Sequence, residues 1–231
     1  MAYTRTIVCL ANSIKHYPSR CIAGKEWGTE GAGGWLRPVD DYRIDEGAIK
    51  QASSLLQDGM QPQILDILQI QFANPVPHGC QKENHLILAA PWQKKGKLRW
   101  TQLDDMVEIH HDLWGSGNSS RSGINDRLSQ QEAACQQDSL RLVKPGNLRV
   151  VVSTTGAAFN NPKKGMRAKF NIGRTPYNLK ITDPRYTEKM REYDEGVEYP
   201  IENSIVSVSI SEPLNSYQYK LIATIFMQRD F

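Results

Sequence analysis

Apolar and polar positions alternate most cleanly between residues 166 and 182. Met166, Ala168, Phe170 and Ile172 interleave with Arg167, Lys169 and Asn171; after Gly173-Arg174-Thr175-Pro176, Tyr177, Leu179 and Ile181 interleave with Asn178, Lys180 and Thr182. A period of two belongs to a strand with one buried face, so the segment predicts a hairpin with its charged positions outward. Residues 139–154 predict a strand kinked at the Lys144-Pro145-Gly146-Asn147 turn. After the hairpin, Asp183-Pro184 opens a short helix with Tyr186, Met190 and Tyr193 on one side, and strands follow at 204–210 and 219–226.

The N-terminal half repeats that order. Strands are predicted at 6–11, 20–27 and 35–39, the last two joined by the loop Gly28-Thr29-Glu30-Gly31-Ala32-Gly33-Gly34. Between Asp45 and Gln57 the residues Ile49, Ala52, Leu55 and Leu56 recur at helical spacing, and Gly59 and Pro62 end the segment. Strands at 64–72 and 85–90 complete the half. Between the halves, Thr101 caps a predicted helix with the stripe Leu103, Met106, Val107, His110, Leu113 and Trp114. A mobile surface loop at 115–123 and a second helix at 125–136 are expected to follow. Three strands, a helix and two strands is the element order of the OB-fold, a five-stranded, partly open Greek-key barrel. The expected fold is mainly β: two OB-like five-stranded barrels, at 1–98 and 139–231, joined by a helical connector at 99–138.

Composition adds little until charge is mapped onto position. With 231 residues, 39% hydrophobic and 23% charged, the chain has enough apolar material for packed cores, and a net charge of +3 neither demands nor excludes a polyanionic partner. Yet Lys163, Lys164, Arg167, Lys169 and Arg174 fall in a stretch without an acid, whereas Glu188, Glu192, Asp194, Glu195, Glu198 and Glu202 cluster after it. Four dispersed cysteines predict reduced thiols in a cytoplasmic protein without structural zinc. The apolar run at 7–11 is too short for a signal-peptide core, and nothing approaches the ~20 apolar residues of a membrane span.

In an OB-fold the ligand surface is built by strands 2 and 3 with the loops joining strands 1–2 and 4–5. In the second half that surface is the 166–182 hairpin, which turns Arg167, Lys169 and Lys180 outward together, beside Lys163, Lys164 and Arg174. In the first half the matching strands carry Arg20, Lys25, Trp27, Trp35 and Arg37. Trp35 and Arg37 share a face, suited to stacking a base and holding its phosphate. The alternative puts Trp35 in the core and pairs Arg37 with an acid such as Asp66. The candidate nucleic-acid-binding set is Arg20, Trp35, Arg37, Lys163, Lys164, Arg167, Lys169, Arg174 and Lys180; the 163–174 cluster is either a binding face or solvated surface.

Catalytic readings are weaker. His110-His111-Asp112 are neighbours that point ~100° apart on a helix and do not converge, and His110 continues the apolar stripe. Asp40-Asp41, Asp104-Asp105 and Glu83 would have to meet in space to hold two metals. Cys21 beside Arg20 lacks a histidine placed to activate it. The glycine loop at 28–34 lacks a Gly-Lys-Ser/Thr ending and leads into a strand, so it reads as a hairpin and not a phosphate cradle. No cofactor, metal or catalytic residue is expected.

Ile7-Val8-Cys9-Leu10-Ala11-Asn12-Ser13, Arg20-Cys21-Ile22-Ala23-Gly24, Gly34-Trp35-Leu36-Arg37-Pro38-Val39, Gln81-Lys82-Glu83-Asn84 and Tyr177-Asn178-Leu179-Lys180-Ile181-Thr182-Asp183-Pro184, with Tyr219-Lys220-Leu221-Ile222-Ala223, together resemble the bacterial dual OB-containing domain family. The resemblance spans most of the chain. It implies two OB barrels and a nucleic-acid-binding role, within bacterial defence against mobile DNA. The expectation is a non-catalytic protein that binds single-stranded DNA or RNA in a groove shared by both barrels, with affinity that falls as salt rises. The alternatives are an adaptor that meets protein partners through Trp92, Trp100 and Trp114 around the connector, and, less favoured, a metal-dependent nuclease.

Overall fold

The computed structural model describes residues 1–16, 18–41, 47–155 and 163–228. They divide into two compact units: Met1–Met106 with Gln137–Ser139, and Val107–Gln136 with Leu140–Phe231. The first unit carries β1 (Tyr3–His16), β2 (Ser19–Gly28), β3 (Gly31–Val39), β4 (Asp66–Pro75), β5 (Asn84–Ile87) and β6 (Gln93–Lys97). Its order is β1-β2-β3-β5-β4, with β3 and β5 parallel, and β1 closes the barrel by pairing with β4.

One strand closes the barrel by serving two partners. The first half of β1 pairs with β4 from Tyr3 to Val8, and from Ile7 onward it pairs with β2, with a bulge between Cys9 and Ala11. The bend brings Gly24 so close that a Cβ there would lie 1.9 Å from the Val8 carbonyl oxygen. Inward positions of the barrel, among them Ile7, Ile22, Leu36, Leu68, Ile70 and Phe72, form one core with Ile49, Leu56 and Trp92. The fifth strand, expected at 85–90, ends at Ile87, and an unexpected strand, β6, follows it; both line the side of β4 opposite β1.

The helix expected at 45–57 is a single 3₁₀ turn, Gln51–Ser54, within the described residues; Asp45 and Glu46 lie outside them. Its apolar positions are buried by extended backbone instead. Ile49 exchanges two hydrogen bonds with Arg20, and Leu56 bridges to Trp92, so tertiary partners override the helical spacing.

The second unit carries β7 (Arg127–Ser129), β8 (Leu140–Val143), β9 (Gly146–Thr155), β10 (Lys163–Ile172), β11 (Thr175–Ile181), β12 (Glu198–Pro200), β13 (Ser204–Ile210) and β14 (Tyr217–Met227). Its order is β12-β9-β10-β11-β14-β13-β8, with β11 and β14 parallel. Here strand 1 is broken at Lys144-Pro145: β8 pairs with β13 and β9 with β10, so the chain itself joins the two ends of the sheet. The expected kink is therefore the counterpart of the bulge in β1. Both units have the OB strand order, and the fold is mainly β.

Helix is confined to short pieces: α1 (Trp100–Asp104), α2 (Gln130–Ala134), α3 (Pro184–Glu188) and 3₁₀ turns. The connector is not the pair of helices expected. After α1 the stripe residues Leu113 and Trp114 are buried without helix, because Leu113 donates its backbone N–H to the Tyr177 hydroxyl and Glu108 donates its own to Leu142. The second expected helix begins as β7 against β14 and turns helical only at the Ser129–Glu132 capping box. No helix among the described residues is long and apolar enough to cross a membrane.

Gly24→Ala is expected to destabilise the first unit by about 3 kcal/mol or more, since the added methyl meets β1 backbone that must move. Thermal unfolding of the variant should show an early transition while the second unit's transition stays in place.

Candidate nucleic-acid interface

In the second unit the hairpin forms as its alternation requires. Met166, Ala168, Phe170, Tyr177, Leu179 and Ile181 are buried, with Phe170 and Tyr177 stacked at 5.5 Å, while Arg167 sits opposite Lys180 on the outer side. What covers that side depends on a gap. β11 and β14 pair only at Lys180–Leu221 and Ile181–Ile222, and beyond these residues the connector fills the space between them. Ile124 exchanges hydrogen bonds with Asn178, the Asp126 carbonyl accepts from the Lys220 N–H, and β7 pairs with Tyr217–Tyr219.

The connector seals Arg167, which is 8% exposed and not turned to solvent as expected. Its Nη2 lies 3.1 Å from Asp126 Oδ2 and donates to the Asn178 carbonyl, and its Nε donates to Asn178 Oδ1. Burial lowers its pKa, which Asp126 partly restores. Asp126 also accepts from the N–H and the hydroxyl of Ser120. A Cβ on Gly123 would fall 1.8 Å from Asp126 Oδ2, so only glycine lets the loop pass. In the 115–123 segment, expected as a mobile surface loop, Gly115, Gly117, Asn118, Ser119, Ser120 and Ser122 each hold a specific hydrogen bond.

Beside this wall runs a cleft of about 460 Å³. Ser153, Lys163 and Lys164 line it from the β9–β10 side, Arg167 and Lys180 from the hairpin, and Tyr219, Lys220 and Leu221 from β14. Ser211 and Leu214 reach in from the β13–β14 connection, and Ser120 and Ser122 from the connector. These are the strands and loop ends that form the ligand surface of an OB barrel. The 156–162 part of the first loop lies outside the described residues.

The sequence candidates divide on this map. Lys163, Lys164, Arg167 and Lys180 come together in the cleft. Lys180 is exposed and has no carboxylate partner among the described residues. Lys169 is neutralised instead, with its Nζ 2.5 Å from Glu198 Oε1, and Lys164 at the mouth lies 3.1 Å from Glu195. The segregation of charge along the chain is therefore not kept in space, because β12 folds the acids back along β9. Arg174 is exposed in the hairpin turn, away from the cleft lining.

The first-unit candidates do not form a comparable site. Arg37 is buried, 3.2 Å from Glu83, and donates to Ser139 Oγ, whose hydroxyl donates to Glu83. Its acid is thus Glu83; Asp66 pairs with Lys94 at 2.6 Å. Trp35 is half-buried under the Lys25 ammonium, 5.8 Å from its ring, and Arg20 is half-buried beside Ile49. Asp40 accepts from the Asp41 N–H and the Ser53 hydroxyl, and His110 lies 3.6 Å from Glu108. No group of three His, Cys, Asp or Glu side chains that could hold a metal occurs among the described residues.

No curated protein matches the chain. The sequence pattern of the dual OB-containing domain matches residues 5–225. The chain belongs to the dual OB-containing domain family. Among solved structures, one of a replication protein A heterotrimer bound to ssDNA is similar over 100% of this chain and 49% of that one, at 10% identity and a TM-score of 0.31. The chain thus spans about half the length of that relative, and a likeness at that score says nothing of the ligand.

Sequence reasoning missed Asp126, Leu214, Tyr219 and Lys220 of this dual OB protein. Lys220 shares the inward phase of β14 with Ile222 and is 1% exposed. Its Nζ donates to the Gly115 carbonyl at 2.7 Å and lies 5.5 Å from the Tyr177 ring. Burial lowers its pKa to about 8 despite nearby Asp112 and Glu132.

Asp126→Ala leaves the Arg167 charge buried without its acid and should cost about 3–5 kcal/mol in urea unfolding, against ~0.5 kcal/mol or less for Lys180→Ala. Lys220 gives a pH signature. Because its folded pKa lies below the unfolded value, the unfolded chain binds more protons between pH 8 and about 10, and stability rises with pH there. Lys220→Met should remove that rise from the melting temperatures; a variant that tracks the parent across the window refutes the assignment.

Proposed function

We propose that this dual OB protein binds nucleic acid without catalysis, holding single-stranded DNA or RNA on the cleft of its second unit. The observation that supports this is one cleft, in the OB ligand position, that joins Lys163, Lys164, Arg167 and Lys180 to a half-buried Tyr219 and an exposed Leu214. Lysines at the mouth neutralise phosphates and release counterions, which gives affinity that falls with salt. The aromatic and aliphatic faces suit an unpaired base, which stacks on either whatever its identity; a duplex keeps those base faces hidden. The carboxylate in the cleft, Asp126, is already engaged by Ser120 and Arg167, which favours binding over proton transfer.

The test is fluorescence anisotropy with single-stranded DNA, single-stranded RNA and duplex DNA over a salt series. The parent should prefer single strands, and Lys163→Glu/Lys164→Glu/Lys180→Glu should weaken binding and flatten the slope of log K against log salt by roughly 2, with an unchanged melting curve. Lys95→Glu/Lys97→Glu on β6 changes the first unit's charge in the same direction, by four units against six, and should leave the slope in place. Loss of the reading follows if no polymer binds in a salt-dependent way, or if both variants weaken binding equally.

A further inference from the structure

The cation on the floor of the cleft differs in kind from the lysines at its mouth. The Arg167 side chain is 10% exposed, and its Nε and Nη2 are taken by Asn178 and Asp126. Nη1 has no acceptor among the described residues, yet it is not among the buried nitrogens left without one. Sealing that group would be costly, and opening Nη1 to the cleft that Arg167 lines avoids the cost. The result is a guanidinium held through Nε and Nη2, with Nη1 left for an occupant of the cleft that Arg167 lines, beside its cross-strand neighbour Lys180. Asp126 offsets the Arg167 charge, so the net positive charge beside the floor comes from Lys180, and Nη1 contributes hydrogen bonds and not net charge.

Size sets a second limit. The cleft among the described residues, about 460 Å³, matches one small-molecule site, whereas a strand that tracks an OB barrel covers several nucleotides. The cleft also has two chemical ends: cations at Arg167 and Lys180, and apolar faces at Tyr219 and Leu214 with the Ser211 hydroxyl between β13 and β14.

Resting on the nucleic-acid reading above, we propose that the cleft is a seat for one nucleotide unit, with its phosphate on Arg167 Nη1 and Lys180 and its base against Tyr219 and Leu214. Flanking nucleotides add only diffuse attraction to Lys163 and Lys164. A nucleoside monophosphate is then the minimal ligand and competes with a strand for the same place.

The experiment is displacement of a labelled single-stranded oligonucleotide from the full chain by a nucleoside 5′-monophosphate, the matching nucleoside and inorganic phosphate. The monophosphate should displace the strand, with the other two at least about ten-fold weaker. Lys180→Gln should weaken the monophosphate about ten-fold and spare the nucleoside, and Tyr219→Leu should weaken the nucleoside and spare inorganic phosphate. Arg167→Lys should act like Lys180→Gln; if it unfolds, Asp126→Asn/Arg167→Gln, which removes both buried charges, takes its place. If the strand binds but the monophosphate does not displace it, the seat is refuted while the nucleic-acid reading stands. If inorganic phosphate competes as well as the monophosphate, the site takes an anion and not a nucleotide, and the proposal falls. If no strand binds at all, both readings fail together.

Discussion

The buried pair of Asp126 and Arg167 is the contact on which the second unit's organisation depends. β11 and β14 touch over only two residue pairs, so their divergence would leave outward backbone groups such as the Lys220 N–H and the Asn178 carbonyl without partners. The connector supplies those partners only if it lies in one register, and the ion pair fixes that register through Ser120 and the Gly123 backbone. Two buried charges contribute little net stability compared with an apolar pair of the same shape. Their effect is positional, because a connector shifted by one residue would leave both charges unpaired.

The two barrels reach the same topology by different local means. Strand 1 bends through a bulge at Cys9–Ala11 in one, with Gly24 admitting the close approach, and breaks at Lys144-Pro145 in the other. Each also buries an arginine from the strand 2–3 ribbon against an acid from elsewhere in the unit: Arg37 with Glu83, and Arg167 with Asp126. Strand phase alone therefore does not decide whether a cation meets solvent. Long side chains on an outward position are captured wherever a loop with a carboxylate crosses the ribbon. Lys163, Lys164 and Lys180 remain exposed, Lys164 beside Glu195.

This explains what could be read from the chain alone. The strictly alternating strand at 166–172 and the apolar run at 204–210 were legible to within a few residues, as was the kink at Pro145, since each is set by local pattern. The motifs shared with the dual OB family pointed to the right architecture. The segments at 45–57 and 101–114 were not legible, because their apolar spacing suits a helix while their burial comes from distant strands. Four lysine and arginine candidates fell in one cleft, but the acids of 195–198, well separated in sequence, return along β9 to Lys164 and Lys169. Lys220 was hidden for a related reason: in Tyr219-Lys220-Leu221-Ile222 either phase contains apolar residues, so alternation cannot show that the lysine points inward.

A fixed guanidinium below and exposed lysines above would give the proposed seat two separable properties. The exposed lysines would attract phosphate through charge, so their contribution would be diffuse and fall as counterions compete. Arg167 has already lost its freedom to Asp126 and Asn178 when the protein folds, so a phosphate that meets Nη1 does not have to order it again. In the proposed seat, affinity for the polymer and orientation of one nucleotide would thus come from different residues. The ion pair that removes Arg167 from the solvent-facing ribbon is also what would hold it in place for the proposed phosphate.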